Sequence, residues 1–148
     1  MRLWRISNYA DLSGMGGVRF PARWNSKGHP IVYTAEHPAG ALVEFLVHLD
    51  IEDFPATYQL LTIDTGNLPP PADIAPDRLP PGWAGDHAIT RRIGDDWLRS
   101  AGTLLLRVPS VLVPQAANVL INPLHPDAGR LQVISTERVP LDSRFTSR

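Results

Sequence analysis

The chain has no cysteine among its 148 residues. That absence removes disulfides, thiolate nucleophiles and cysteine-based zinc sites together. Charge of one sign is also missing: 14 Lys and Arg stand against 15 Asp and Glu, for a net charge of −1. No broad nucleic-acid footprint follows from such a balance, although Arg19, Arg23 and Lys27 form a local cationic strip. No segment approaches the roughly 18 consecutive apolar residues of a membrane span. The start, Met1-Arg2-Leu3-Trp4-Arg5, has no signal-peptide run behind it. The expectation is a cytoplasmic protein with neither membrane nor direct nucleic-acid contact. The five histidines, His29, His37, His48, His87 and His125, show no His-Glu-x-x-His spacing, and Glu44 with His48 gives too few ligands, so no metal is expected. No Gly-x-Gly-x-x-Gly follows a strand and no Gly-x-Ser-x-Gly turn occurs. A Rossmann cofactor site and a serine nucleophile elbow are both unsupported.

What is present is enough chain for one domain with a real core. Short strand candidates fall at Leu3 to Ser7, Ile31 to Thr34, Tyr58 to Ile63, Leu104 to Val108, Val111 to Val113, Val119 to Ile121 and Leu131 to Val139. His37-Pro38 opens a helix that runs to about Leu49, since proline suits the first turn. His87 to Ala101 has helical spacing, with Gly102 placed to end it. Ser13 to Gly17 reads as a flexible loop. Residues 66 to 86 hold six prolines, Pro69, Pro70, Pro71, Pro76, Pro80 and Pro81, a density that argues against any regular element. The segment reads as a long surface loop, and its length suggests a lid with Trp83 at its tip. Strands outnumber helices and are short, so the expected class is α+β with a mostly antiparallel sheet.

One residue breaks the apolar pattern of the first helix. Glu44 sits alone in Ala41-Leu42-Val43-Glu44-Phe45-Leu46-Val47, which reads as a largely buried helix. Burying a carboxylate is costly unless it is paired or used. Arg23-Trp24-Asn25 and Ile31-Val32-Tyr33-Thr34-Ala35 precede it. An arginine, an aromatic and a lone acid suggest a pocket for an anionic, ring-bearing ligand, with the acid facing positive charge that develops in a reaction. From spacing alone, an ion pair between Glu44 and an arginine or His48 is an equal alternative.

The ordered set of residues resembles the RES domain family, named for an arginine, a glutamate and a serine. Arg5 in Trp4-Arg5-Ile6, Glu44, and Ser110 in Val108-Pro109-Ser110-Val111 match those marks. Arg23-Trp24-Asn25 with Gly28, Val32-Tyr33-Thr34-Ala35, and Asn118-Val119-Leu120-Ile121-Asn122-Pro123 running to His125-Pro126 extend the match over essentially the whole chain. The resemblance implies a fold similar to ADP-ribosyltransferases and a toxin that uses NAD as substrate and needs no resident cofactor. Such toxins degrade NAD or transfer ADP-ribose to a protein acceptor. It also implies a hetero-oligomer with an Xre-like helix-turn-helix antitoxin whose C-terminal part blocks the pocket. Family members often carry two glycines directly before the Arg-Trp pair. Here Ala22 precedes Arg23 and Gly16-Gly17 lies before Arg19, so Arg23 is the expected pocket arginine and Arg19 the alternative.

On that basis Glu44 stabilises an oxocarbenium-like state and holds a ribose hydroxyl. Arg5 and Arg23 suit the pyrophosphate, because a guanidinium offers paired donors in a plane. Tyr33 stacks on the nicotinamide and hydrogen-bonds through its hydroxyl, or packs as an ordinary strand aromatic. Trp24 packs beside the pocket. Ser110 orients Glu44 or meets the nicotinamide amide, or merely separates two strands. Asn122 joins the substrate-binding set, although Asn118, Asn122 and His125 also read as turn residues. A nuclease using His48 or His125 with the cationic strip, and an inactive binding module, are the competing readings.

Overall fold

The computed structural model describes residues 1–147. Seven strands form one sheet: β1 Arg2–Ile6, β2 Val32–Ala35, β3 Thr57–Asp64, β4 Ala72–Asp73, β5 Leu105–Pro109, β6 Ala117–Ile121 and β7 Gln132–Pro140. Three helices accompany them: α1 Met15–Arg19, α2 Pro38–Val47 and α3 His87–Ser100. The strand order is β4-β5-β6-β2-β1-β3-β7. Every pairing is antiparallel except β4 with β5. The α+β expectation is met.

The core divides between two apolar clusters. Leu3, Val32, Ile63, Leu105, Val119 and Ile121 fill one, and Trp24, Ile31, Leu98, Leu106, Val108 and Leu120 fill the other. Successive strand residues face opposite ways, which is why neighbours such as Leu105 and Leu106 serve different clusters.

The sheet is unevenly stitched. β1 pairs β3 from Arg2 to Ile6 and β2 pairs β6 from Val32 to Ala35, but β1 meets β2 only at Trp4 opposite Ala35. The two central strands therefore part at a seam, and α2 packs against both of them there. Its start is fixed by His37, whose Nδ1 accepts from the Ala39 amide at 3.1 Å, and by Pro38 at the first helical position. Only Ala41 of α2 is buried, and Val43 and Val47 are 40% and 53% exposed. The expected burial of this helix thus fails: one face rests on the seam and the other is left exposed among the described residues.

Four other expectations are corrected. Residues 111–113 form no strand; they lie in the β5–β6 connection, where Gln115 takes φ of 69°. Residues 15–19 are helical rather than loop. The proline-rich segment is neither irregular throughout nor a lid. It carries β4 and two 3₁₀ turns, at Pro76–Arg78 and Trp83–Gly85. Leu79 is buried in the second cluster, where Ala72, Ile74 and Trp83 also pack, and Trp83 lies 6.3 Å from Trp24 between ring centroids. Prolines here cap turns at a sheet edge, where a missing donor costs nothing. At the end of α3, Ala101 rather than Gly102 adopts the left-handed conformation, with φ of 49°.

Candidate active site at the sheet seam

A cavity of about 700 Å³ opens where β1 and β2 part. Its volume lies within the range of small-molecule sites, roughly 300–1,000 Å³. Trp4, Arg5 and Ile6 from β1 line it, with Tyr33, Thr34 and Ala35 from β2 and Ala41, Glu44 and Phe45 from α2. Pro21 to Trp24, His48, His87, Arg91, Leu112 and Asn118 also line it. No residue of the segment 66–86 lines it.

Glu44 has a defined setting. Its Oε1 accepts from Asn118 Nδ2 at 2.9 Å and from Ser110 Oγ at 3.4 Å. Neither donor is charged, and Glu44 makes no salt bridge among the described residues. The ion-pair alternative is therefore absent here. The carboxylate is half-buried and held by neutral donors. Asn118 is delivered by β6, where it pairs with Ala35 of β2 and Val108 of β5. Ser110 follows the end of β5, and its Oγ also accepts from the Leu112 and Val113 amides, which fixes its rotamer. Ser110 touches Glu44 but does not itself line the main cavity.

Three guanidinium-bearing residues line the same space. Arg5 lies on β1, and its Nη1 donates to the Asp11 carbonyl at 3.4 Å. Burial lowers its pKa below the ordinary arginine value, with the charge of Asp11 acting in the opposite direction. Arg23 donates from Nη1 to the Ala84 carbonyl at 2.9 Å, tying the cavity rim to the proline-rich segment. Arg91 donates from Nε to the Ala22 carbonyl at 2.7 Å. Arg19 is exposed and stands outside the cavity wall, so the geometry selects Arg23 over Arg19.

The segment carrying Arg23 is lashed to α3. Thr90 Oγ1 donates to the Arg23 carbonyl. Asp95 accepts from the Ser26 amide at 2.9 Å and from Ser26 Oγ at 2.6 Å. Gly94 permits the approach: a Cβ there would stand 1.7 Å from the Trp24 carbonyl oxygen. Tyr33 belongs to the same network. Its hydroxyl donates to Asn25 Oδ1 at 2.6 Å and accepts from the Trp24 amide at 3.1 Å. The expected substrate hydrogen bond from this hydroxyl is thus replaced by two structural ones, while Tyr33 still lines the cavity. Burial raises the Tyr33 pKa above the ordinary phenol value.

Asn122 does not join the site. It is buried, donates from Nδ2 to the Leu98 carbonyl at 3.0 Å, accepts from the Leu124 amide at 3.1 Å and does not line the cavity. Its role is to close the turn after β6 and anchor α3 to it. His125 likewise caps a turn, with Nδ1 accepting from the Asp127 amide. Trp24 is 2% exposed and packs beside the cavity as expected.

Sequence reasoning missed Arg91 and gave Asn118 too little weight. Arg91 had a readable signal: His87, Arg91 and Asp95 stand four apart and so share one helical stripe. The structure turns that stripe towards the 22–26 segment and the cavity. Asn118 had none, because its partner is 74 residues away in the chain.

A model of the RES domain family matches residues 2–142. The chain is 45% identical over 147 residues to Toxin Res of Pseudomonas putida, covering 98% of this chain and 99% of that one. It is 38% identical over 152 residues to the Prs ADP-ribosylating toxin of Sphingobium sp. strain YBL2, covering 96% and 94%. Toxin Res of Yersinia enterocolitica matches at 36% over 117 residues, 76% of this chain and 75% of that one. The chain belongs to the RES domain family.

Proposed function

We propose that this protein is a toxin that consumes NAD by cleaving the bond between nicotinamide and ribose, through hydrolysis or phosphorolysis. The observation that carries the reading is the setting of Glu44: an acid without a cationic partner, held by Asn118 and Ser110 on the wall of a cavity that Arg5, Arg23 and Arg91 also line. Breaking the bond leaves a ribose with oxocarbenium character, as in glycoside hydrolysis. A fixed carboxylate favours that charge and accepts a hydrogen bond from a ribose hydroxyl, and it needs no reorganisation as the charge appears. Guanidinium groups suit the pyrophosphate, and the aromatic wall of Trp4, Tyr33 and Phe45 suits flat rings. Relatives along nearly the whole chain bear toxin names, which supports the reading of a toxin.

A second reading keeps the same bond cleavage and changes the acceptor. The Sphingobium relative bears the name Prs ADP-ribosylating toxin, so ADP-ribosyl transfer, to a protein as the family resemblance implies, is the alternative outcome for this chain. In either case the natural inhibitor is an Xre-like antitoxin whose C-terminal part fills the cavity, as the family resemblance implies.

The deciding experiment is to measure cellular NAD after induction, wild type beside Glu44→Ala. Collapse of NAD with wild type alone supports degradation. Growth arrest with unchanged NAD points to selective transfer, to be followed with labelled NAD in lysate. Arrest that persists in Glu44→Ala overturns both readings.

A further inference from the structure

The charged groups of the seam cavity fall at two ends. Glu44 marks one end with its donor Asn118, which sits opposite Ala35 in the β2–β6 pairing. The other end lies beyond Tyr33, which stands about 7 Å from Ala35 along β2. There the Tyr33 hydroxyl meets the Trp24 amide, and Arg23, His87 and Arg91 stand in the wall. His87 and Arg91 reach this end from α3, where they share one helical stripe.

The cations exceed what a pyrophosphate needs. Arg5 and Arg23 suit its phosphates, which leaves Arg91 in surplus. Arg91 is also free to bind. Its Nε is spent on the Ala22 carbonyl at 2.7 Å, which fixes the plane of the guanidinium. Its terminal nitrogens have no acceptor and it makes no salt bridge among the described residues. Acids are scarce in the same space: Glu44 is the one Asp or Glu in the cavity wall among the described residues. Asp86 and Asp95, which flank this stretch of α3, are engaged elsewhere. Asp86 Oδ1 accepts from the Ala88 amide at 2.9 Å, and Asp95 accepts from the Ser26 amide and Oγ at 2.9 and 2.6 Å. Neither lines the cavity. In dinucleotide sites a carboxylate selects a free ribose 2′-hydroxyl, whereas an arginine admits a 2′-phosphate. The α3 end has the second arrangement.

We propose that the α3 end of the seam cavity is a phosphate-monoester subsite, in which Arg91 and His87 hold the 2′-phosphate of an adenosine ribose, and that NADP is a substrate alongside NAD. The proposal rests on the reading of this protein as an enzyme that cleaves NAD at the nicotinamide–ribose bond. With the nicotinamide ribose against Glu44, the pyrophosphate lies on Arg5 and Arg23, and the adenosine ribose comes to Arg91. A phosphate monoester carries nearly two negative charges at neutral pH and three strong acceptor oxygens. The open edge of a guanidinium pairs with two of those oxygens at once. The chemistry at C1′ is the same for both dinucleotides. The bond to the pyridinium nitrogen breaks, its electron pair returns to the ring, and nicotinamide leaves neutral. Water forms the new C1′–O bond and loses one proton to solvent, which gives 2′-phospho-ADP-ribose from NADP.

The test uses the full chain and a pair of probes that lack the pyridinium, ADP-ribose and 2′-phospho-ADP-ribose. Calorimetric titration of wild type is expected to show about tenfold tighter binding of the phosphorylated probe, the scale of a hydrogen bond to a charged group. Arg91→Gln removes the charge and is expected to erase most of that difference. His87→Gln, at the exposed first turn of α3, is expected to reduce it and guards against a folding defect of the first variant. Both probes are compared in the same variant, so a loss of folded protein affects them alike and leaves their ratio readable. Nicotinamide release then reports turnover. Wild type is expected to use NADP with kcat/KM at least equal to that for NAD, and Arg91→Gln to lower this ratio about tenfold. Equal binding of the two probes by wild type, or a ratio unchanged in both variants, overturns the subsite alone. Tighter binding of the phosphorylated probe with no nicotinamide released from either dinucleotide overturns the cleavage reading, and NADP as a substrate with it.

Discussion

At the scale of single residues, two hydrogen bonds distinguish the site from a surface acid. Glu44→Gln keeps the shape and removes the charge. It is expected to abolish NAD turnover while shifting stability by less than about 1 kcal/mol, since the group is only half-buried and joined by neutral donors. Parallel activity and chemical-denaturation measurements check both halves. Asn118→Ala removes the 2.9 Å bond to Oε1 and frees the carboxylate to rotate. A loss of kcat on the order of tenfold is expected, the worth of a hydrogen bond to a charged group, with a smaller change in KM. Steady-state kinetics decide it; unchanged kcat means that Asn118 does not position Glu44. Tyr33 behaves differently, because its hydroxyl is committed to Asn25 and Trp24. Tyr33→Phe leaves those partners unsatisfied and is expected to cost about 1–3 kcal/mol in urea denaturation. The pH dependence follows from its raised pKa. The unfolded chain ionises near the ordinary value of about 10 while the folded chain resists. Above that pH the unfolded state holds fewer protons, so stability falls as pH rises. Tyr33→Phe is expected to flatten that alkaline decline.

At the scale of elements, α3 is the buttress of the site. It holds the 22–26 segment through Thr90, Arg91 and Asp95, and Gly94 sets the distance. Gly94→Ala places a methyl inside the Trp24 carbonyl and is expected to destabilise by about 3 kcal/mol or more, with loss of NAD binding in any folded fraction. Thermal melting and calorimetry with NAD check this. The elements also show what the sequence made legible. Most strands and both long helices are legible in apolar spacing, and Glu44 stands out because it interrupts an apolar run, with Arg23 and Tyr33 shortly before it; Arg5 and Ser110 are legible only through the family resemblance. Residues 111–113 misled because Val-Leu-Val is strand-like in composition, yet Pro109 and Pro114 bracket them and the chain turns there. Residues 66–86 misled because proline count hid Leu79 and Trp83, whose burial depends on partners far along the chain. Asn122 was misplaced for a similar reason: an asparagine two residues before a helix-anchoring turn looks no different in sequence from one that faces a ligand.

At the scale of the whole molecule, the proline-rich segment is part of the core rather than an accessory. Trp83→Ala is expected to lower stability by about 3 kcal/mol through loss of its packing on Trp24, with NAD affinity falling only as far as the fold does. Denaturation followed by NAD titration of the folded protein separates the two effects. No helix among the described residues is long and apolar enough to cross a membrane.

The single rung between β1 and β2 has a consequence beyond catalysis. Two leaves of sheet, β4-β5-β6-β2 and β1-β3-β7, are joined in the middle by one pair and by α2. On the proposed function, a dinucleotide lying in that gap would span both leaves and supply cross-links that the backbone omits. Ligand that binds only the folded chain stabilises it in proportion to the logarithm of its concentration over Kd. For an enzyme that consumes NAD, the substrate would then double as scaffold, and each turnover would draw down the pool that steadies the protein. Activity would carry its own brake: the poorer the cell becomes in NAD, the shorter the folded lifetime of the protein depleting it. Rising melting temperature with a non-cleavable NAD analogue, and faster proteolysis of the protein in NAD-depleted cells, are the expected signs.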